Sequence, residues 1–381
     1  MPVAPLLVFG TNMSVSDYMD LRSLVGEIHD ELMAAKRPLL VLGAGVQSNP
    51  LNLRIPVVVT WGARAALPEA PSFGTHGEKA GNLAVQNADY ILAVGTRLDT
   101  KATGSPASSF APKAKLVMVD IDQTELDKMA KIGRPLYRSV CADAGEFLTM
   151  LSKETGWDAD DAEDLMRLLP WINQIQAWRK EHPVGYRGGE GINPYSLVEK
   201  LSELMSPDDV LVSDTGCGLA WLMQAFKFKG QKFVHAFNQT PMGYGLPAAI
   251  GAAFATGKRV VLVTGDGGLS LCSAELATVA RHGLNIKILL LNNRGHAMCR
   301  QTQRQWLGGE YPSTSFEGGL AAPNFMAVAE AYQLESFTAF GKAGYWLGWL
   351  LEKSQGPALL NLLMPLDAEV SPQIKFGEPL A

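Results

Sequence analysis

The chain has 381 residues, 47% of them apolar and 19% charged, with a formal net charge of -5. That length exceeds one ordinary core and implies two or three domains. The composition excludes a disordered chain, and the mild acidity gives no electrostatic footprint for nucleic acid or an anionic membrane. No run approaches the ~20 apolar residues that span a bilayer. The opening MPVAPLLVFG lacks the basic region and small-residue cleavage site of a secretory leader. The four cysteines, Cys141, Cys217, Cys272 and Cys299, form no CxxC pair. They fit neither a metal framework nor a disulfide scaffold, so the expectation is a soluble, cytoplasmic protein.

Four apolar runs come early: 39–42, 57–60, 90–94 and 116–120. Each is continuous rather than alternating, as in strands covered on both faces. Helical patterns at 21–35 and 78–87 separate them, and strand–helix alternation predicts a doubly wound parallel sheet. The acidic stretch SKETGWDADDAEDL, 152–165, reads as a linker with one amphipathic helix after it, and GYRGGEG, 185–191, marks a second boundary. From Asn193 the alternation resumes, with a helix at 194–205 and strands at 210–213, 260–264 and 286–291. The expected fold class is α/β, with two doubly wound parallel-sheet domains in tandem. The expected boundaries are a domain at 1–155, a linker with helix at 156–190, and a second domain with a C-terminal tail at 191–381.

The chemistry concentrates in VVLVTGDGG, ending at Gly268, and LLLNNRG, ending at Gly295. A buried strand runs straight into Gly265, Asp266, Gly267 and Gly268. Small residues there admit a ligand close to the backbone and free the amides of the next helix for an anion. Asp266 can hold a divalent cation against a diphosphate, since hard cations take carboxylate and phosphate oxygens. The next strand ends in Asn292, Asn293, Arg294 and Gly295. Parallel strands present their carboxyl ends to one crevice, where the Asn293 side-chain oxygen and a nearby carbonyl can complete the metal sphere. A plain turn at GDGG and a plain loop at NN remain the alternative; their pairing at two strand ends favours the ligand reading.

GDG followed by 268–291 and NN resembles the fingerprint of thiamine diphosphate enzymes. PMGYGLPAAIGAA (241–253), SDTGCG (213–218), GTHGEKAGNLAVQNADYILAVGTRLDTKATG (74–104) and VDIDQTEL (119–126) are similar to segments of the acetolactate (acetohydroxyacid) synthase branch. The resemblance runs from about residue 37 to about 372 and implies roles residue by residue. Asp266, Asn293 and the carbonyl of Gly295 would coordinate Mg2+. The amides of Gly267 and Gly268 would meet the diphosphate, with Gly216, Gly218, Gly243 and Gly265 lining its path. Met242 would wedge thiamine diphosphate into a bent conformation; an ordinary core methionine is the plain alternative. His296 would exchange a proton near the substrate, although a lone loop histidine is more often solvated or structural. Arg300 and Gln303 would meet a carboxylate or a sugar hydroxyl, or simply be surface groups. Cys272 and Cys299 read as small packing residues.

In the first domain Arg97, Thr103 and His76 match a site that in these synthases often holds FAD performing no redox step. Gly43 and Gly45 could face its phosphate or ribose, and a vestigial pocket is the other option. Family members also carry an N-terminal pyrimidine-binding domain whose glutamate activates the cofactor. Glu27 and Glu31 are the only early candidates here, and both sit on the polar face of a helical pattern. The resemblance therefore implies the large subunit of a split carboligase. It would decarboxylate a 2-keto acid, pyruvate foremost, and ligate the two-carbon unit to a second carbonyl. A separate pyrimidine-domain subunit would supply the glutamate, and homodimers within a hetero-oligomer are expected. A non-catalytic regulatory or scaffolding subunit, or a simple decarboxylase, are the alternatives.

Overall fold

The computed structural model describes residues 7–8, 15–46, 55–154, 162–185, 191–375 and 377–381. Half of the acidic stretch and most of GYRGGEG lie outside the described residues. The chain divides into two compact units, Met1–Val184 with Pro372–Ala381, and Gly185–Ser371.

The first unit holds six parallel strands, β1 (Leu7–Val8), β2 (Pro38–Leu42), β3 (Val57–Val59), β4 (Tyr90–Val94), β5 (Lys115–Asp120) and β6 (Arg138–Cys141). Their order is β1-β6-β5-β4-β2-β3. The continuous apolar runs have a simple cause. Leu40 and Leu42 of β2 enter one core cluster, while Leu39 and Val41 enter the other, on the opposite face. The helix Val15–Ala34 covers one face with Leu21, Val25, Ile28 and Leu32, all fully buried at helical spacing.

The helix Ala162–Glu181 belongs to this unit rather than standing as a linker. Leu168 sits in one cluster, Trp171 and Ile175 in the other, and the Trp171 indole donates to the Pro38 carbonyl at 3.0 Å. The C-terminal tail also returns here. Leu380 is fully buried and lies against Gly104, and the Ile374 amide donates to the Thr75 carbonyl at 2.7 Å. Burial of one leucine contributes about 1.5–3 kcal/mol, enough to fix a short tail.

The second unit is another six-stranded parallel sheet: β7 (Val210–Ser213), β8 (Lys232–Val234), β9 (Val260–Gly265), β10 (Ile286–Asn292), β11 (Glu335–Ala339) and β12 (Ala358–Leu363). Their order is β11-β12-β10-β9-β7-β8, so the chain reverses direction across the sheet between β7 and β9. In open α/β sheets, ligands sit outside the carboxyl ends at such a switch point. Asn193 caps this unit's first helix, Pro194–Leu204, accepting from the amides of Tyr195 and Ser196, with Pro194 at the first helical position. No helix among the described residues is long and apolar enough to cross a membrane.

Candidate cofactor and metal site

Three strand ends build the site. After β7 the chain passes through Asp214 and Thr215 to Gly216, at φ 100°, and enters the helix Cys217–Ala225. After β9 the helix Asp266–Cys272 begins at once, with Gly265 as its extended N-cap. After β10 come Asn293, Arg294 at φ 57°, Gly295, and His296 ahead of the helix Ala297–Trp306. Together they enclose a cavity of about 210 Å³. Gly216, Gly218, Gly265, Gly267, Gly268, Asp266, Asn293, Gly295, Met242 and His296 all line it.

Asp266 is only 5% exposed. Its Oδ1 accepts from the Gly267 amide at 2.8 Å and its Oδ2 from the Gly295 amide at 3.1 Å. The Asn293 Oδ1 accepts from that same Gly295 amide, also at 3.1 Å. One N–H thus gathers a carboxylate and an amide oxygen. Burial raises the Asp266 pKa, opposed by the Gly267 and Gly295 amides, and a cation beside it would favour the ionised carboxylate. No group of three or more His, Cys, Asp or Glu gathers among the described residues. An all-oxygen set with a single carboxylate fits Mg2+ completed by phosphate oxygens. Asn292 points elsewhere: its side-chain amide donates to Asn361 on β12 at 3.0 Å, so only Asn293 of the pair faces the site.

The glycines differ in what holds them. A Cβ built at Gly216 or Gly265 would meet nothing within 4 Å, so the space beside both is open for a ligand. A Cβ at Gly267 would stand 2.5 Å from His296 Cε1 and 2.7 Å from Met242 Cε, because these two side chains meet over Gly267. Met242 is 41% exposed and lines the cavity, so it is no core methionine. Gly243, at φ 81°, allows the turn behind it. Gly218 merely lets its helix pack on Val263 and Leu291.

The remaining wall is mostly apolar, with Trp221, Leu291, Met298 and Met364 beside Cys217, Cys299 and Thr215, and Trp221, Met298 and Met364 belong to no motif. Cys299 is therefore an exposed cavity residue rather than a packing one, whereas burial pushes the Cys217 thiol up to about 12. Arg300 and Gln303 are held by the protein itself. Arg300 pairs with Asp367 at 3.2 Å and stacks over Tyr311, and Gln303 accepts from the Thr314 hydroxyl at 2.6 Å.

The residues matched to a flavin site lie in the other unit. The Arg97 guanidinium is paired with Glu125 at 2.5 Å. His76 is packed near Trp61, and burial lowers its pKa to about 4, so it is neutral near pH 7. The buried Thr103 hydroxyl donates within its own turn, to the Asp99 carbonyl at 3.1 Å. A Cβ at Gly43 would lie 2.3 Å from the Gly95 carbonyl oxygen, and one at Gly45 2.9 Å from Gly95 Cα. Those glycines are small because two loops touch. Among the described residues, Arg97 is already paired and Gly43 and Gly45 face a neighbouring loop, so this set gives a flavin no support.

A switch-point crevice with open glycine positions and an oxygen pair at a buried carboxylate is the arrangement that suits a metal-bound diphosphate in an α/β protein. The comparisons agree. Residues 25–151 match the family described as "Thiamine pyrophosphate enzyme, central domain", and residues 214–361 match "Thiamine pyrophosphate enzyme, C-terminal TPP binding domain". The chain belongs to the thiamine pyrophosphate enzymes and carries their central and C-terminal domains. It is 30% identical over 371 residues to the acetolactate synthase large subunit of Corynebacterium glutamicum, covering 90% of this chain and 57% of that protein. It is 28% identical to the large subunit of Lactococcus lactis, covering 92% and 61%, and 31% identical to that of Porphyra purpurea, covering 91% and 61%. The chain thus spans roughly three-fifths of the length of these relatives.

Proposed function

We propose that this chain is the cofactor-holding subunit of an acetolactate synthase-like carboligase acting on a 2-keto acid, pyruvate foremost. The observation that carries the reading is the convergence of Asp266 and Asn293 on the Gly295 amide, beside the open positions at Gly216 and Gly265. Asp266, Asn293 and the Gly295 carbonyl hold Mg2+. The amides of Gly267 and Gly268 hold the diphosphate. Thiamine diphosphate supplies the carbanion chemistry of decarboxylation and carbon–carbon ligation. Met242 supports the cofactor from the side facing Gly267. His296, against the same glycine, holds or releases a proton at the substrate carbonyl. Trp221, Leu291, Met298 and Met364 keep water from the reacting carbons. The acceptor is a second keto acid or a keto sugar. FAD takes no part.

An activating carboxylate is the missing element among these residues. Among the described residues, Asp266 is the only acidic one lining the cavity, and it is committed to the metal. Glu27 and Glu31 pair with Arg138, each at 2.9 Å, and Glu31 also accepts from Tyr90 and Tyr137. The glutamate comes from a pyrimidine-binding domain on a separate subunit, in a cytoplasmic hetero-oligomer built on a homodimer of this chain. A scaffolding role leaves the open glycine positions and the oxygen pair without a purpose. The chain alone, given pyruvate, Mg2+ and thiamine diphosphate, is expected to turn over about 10²–10⁴-fold more slowly than the assembled enzyme, the usual range for a lost proton-transfer group. Full turnover by the chain alone would rule out the separate subunit.

A further inference from the structure

Asp214 is 1% exposed, and it sits behind the cavity rather than in its wall. Its Oδ1 accepts from the Thr215 amide at 2.8 Å and the Gly243 amide at 3.2 Å. Its Oδ2 accepts from the Gly245 amide at 3.1 Å and lies 3.5 Å from the Thr264 hydroxyl. A buried carboxylate is costly unless hydrogen-bonded, and charge-assisted bonds to amides are among the stronger ones. These contacts therefore tie three loops to one point. The glycines around it are shaped to admit it. A Cβ at Gly245 would come 3.0 Å from Asp214 Cβ, and one at Gly268 would come 2.8 Å from its Oδ2.

The tied segment is the turn that carries Met242. Thr240 at φ 44° and Gly243 at φ 81° bend the chain on either side of it. Met242 itself is 41% exposed, so core packing does not fix its height over Gly267. The main-chain bonds of Gly243 and Gly245 do. We infer that Asp214 is a positioning residue that acts through Met242, setting how firmly this side chain presses on the bound cofactor. The inference rests on the proposed seating of thiamine diphosphate against Met242.

The test is a double-mutant cycle on the full chain, titrating Mg2+–thiamine diphosphate and, separately, Mg2+–pyrophosphate by calorimetry. Asp214→Asn keeps the shape but removes one acceptor and the charge. Asp214→Asn and Met242→Ala are each expected to weaken thiamine diphosphate about tenfold and pyrophosphate less than about threefold. The double variant is expected to bind no more weakly than either single one, since residues acting through one contact are not additive. A general structural role would instead weaken both ligands alike and add to Met242→Ala, and either result overturns the inference. Normal binding by Asp214→Asn beside weak binding by Met242→Ala overturns it while leaving the functional reading intact. No effect from Met242→Ala removes the role of Met242 and the inference with it. Should Asp214→Asn not fold, hydrogen exchange on the ligand-free wild type decides. Slow exchange at Gly243 and Gly245 is expected, and fast exchange at both overturns the inference.

Discussion

Replacing Asp266 by asparagine is expected to weaken thiamine diphosphate binding in Mg2+ by about 100-fold or more, with the fold retained. Changes to groups merely supporting a metal ligand already cost 10–100-fold, and Asp266 would touch the metal itself. The substitution removes the only carboxylate that the described residues place in the cavity wall. Folding should suffer little. Burial disfavours the ionised Asp266 in the absence of a cation, so the charge serves the ligand more than the fold. Asparagine has nearly the same shape and keeps one oxygen for Gly267 or Gly295. Calorimetry for affinity and thermal unfolding for stability separate the two effects. An unchanged affinity would remove Asp266 from the metal site.

The second large effect comes from the glycines, and here two neighbours should behave differently. Gly267→Ala drives a methyl into the His296 ring and the Met242 terminus, at 2.5 Å and 2.7 Å. Such overpacking costs about 1–3 kcal/mol. Because both displaced side chains line the cavity, cofactor binding should fall about 100-fold as well. Gly265→Ala meets no protein atom within 4 Å and sits at φ -88°, which alanine adopts freely. It should leave the thermal midpoint unchanged yet weaken pyrophosphate and thiamine diphosphate alike, because the new methyl occupies the space assigned to the ligand. If Gly265→Ala bound both normally, the diphosphate would not lie beside Gly265.

Much of this was legible in the residues. β4, β7, β9 and β10 announce themselves because strands covered on both faces must be apolar throughout, and their ends place Asp266 and Asn293 on one side of a sheet. β12 carries the same signature in ALLNLL, whereas β11, half exposed along ESFTA, is no more apolar than a loop. The family profiles and the parallel topology bear out the fold and the thiamine diphosphate family. What stayed hidden depends on contacts distant in sequence. Nothing near Leu380 says that it closes the core of the first unit. Nothing in SDTGCG says that Asp214 answers amides 29 and 31 residues away. Arg97 and His76 look ready for a flavin until Glu125 and burial are seen around them. The apolar wall at Trp221, Met298 and Met364 has no motif because apolar lining is recognised by position, not by residue type.

The central claim is that this chain holds thiamine diphosphate through a metal in its second unit. Calorimetric titration of the purified chain with thiamine diphosphate, with Mg2+ and then with EDTA, tests it most directly. The account predicts one site per chain, tight binding in Mg2+, and loss of that binding when EDTA is added. Absent binding, or binding indifferent to the metal, would contradict it.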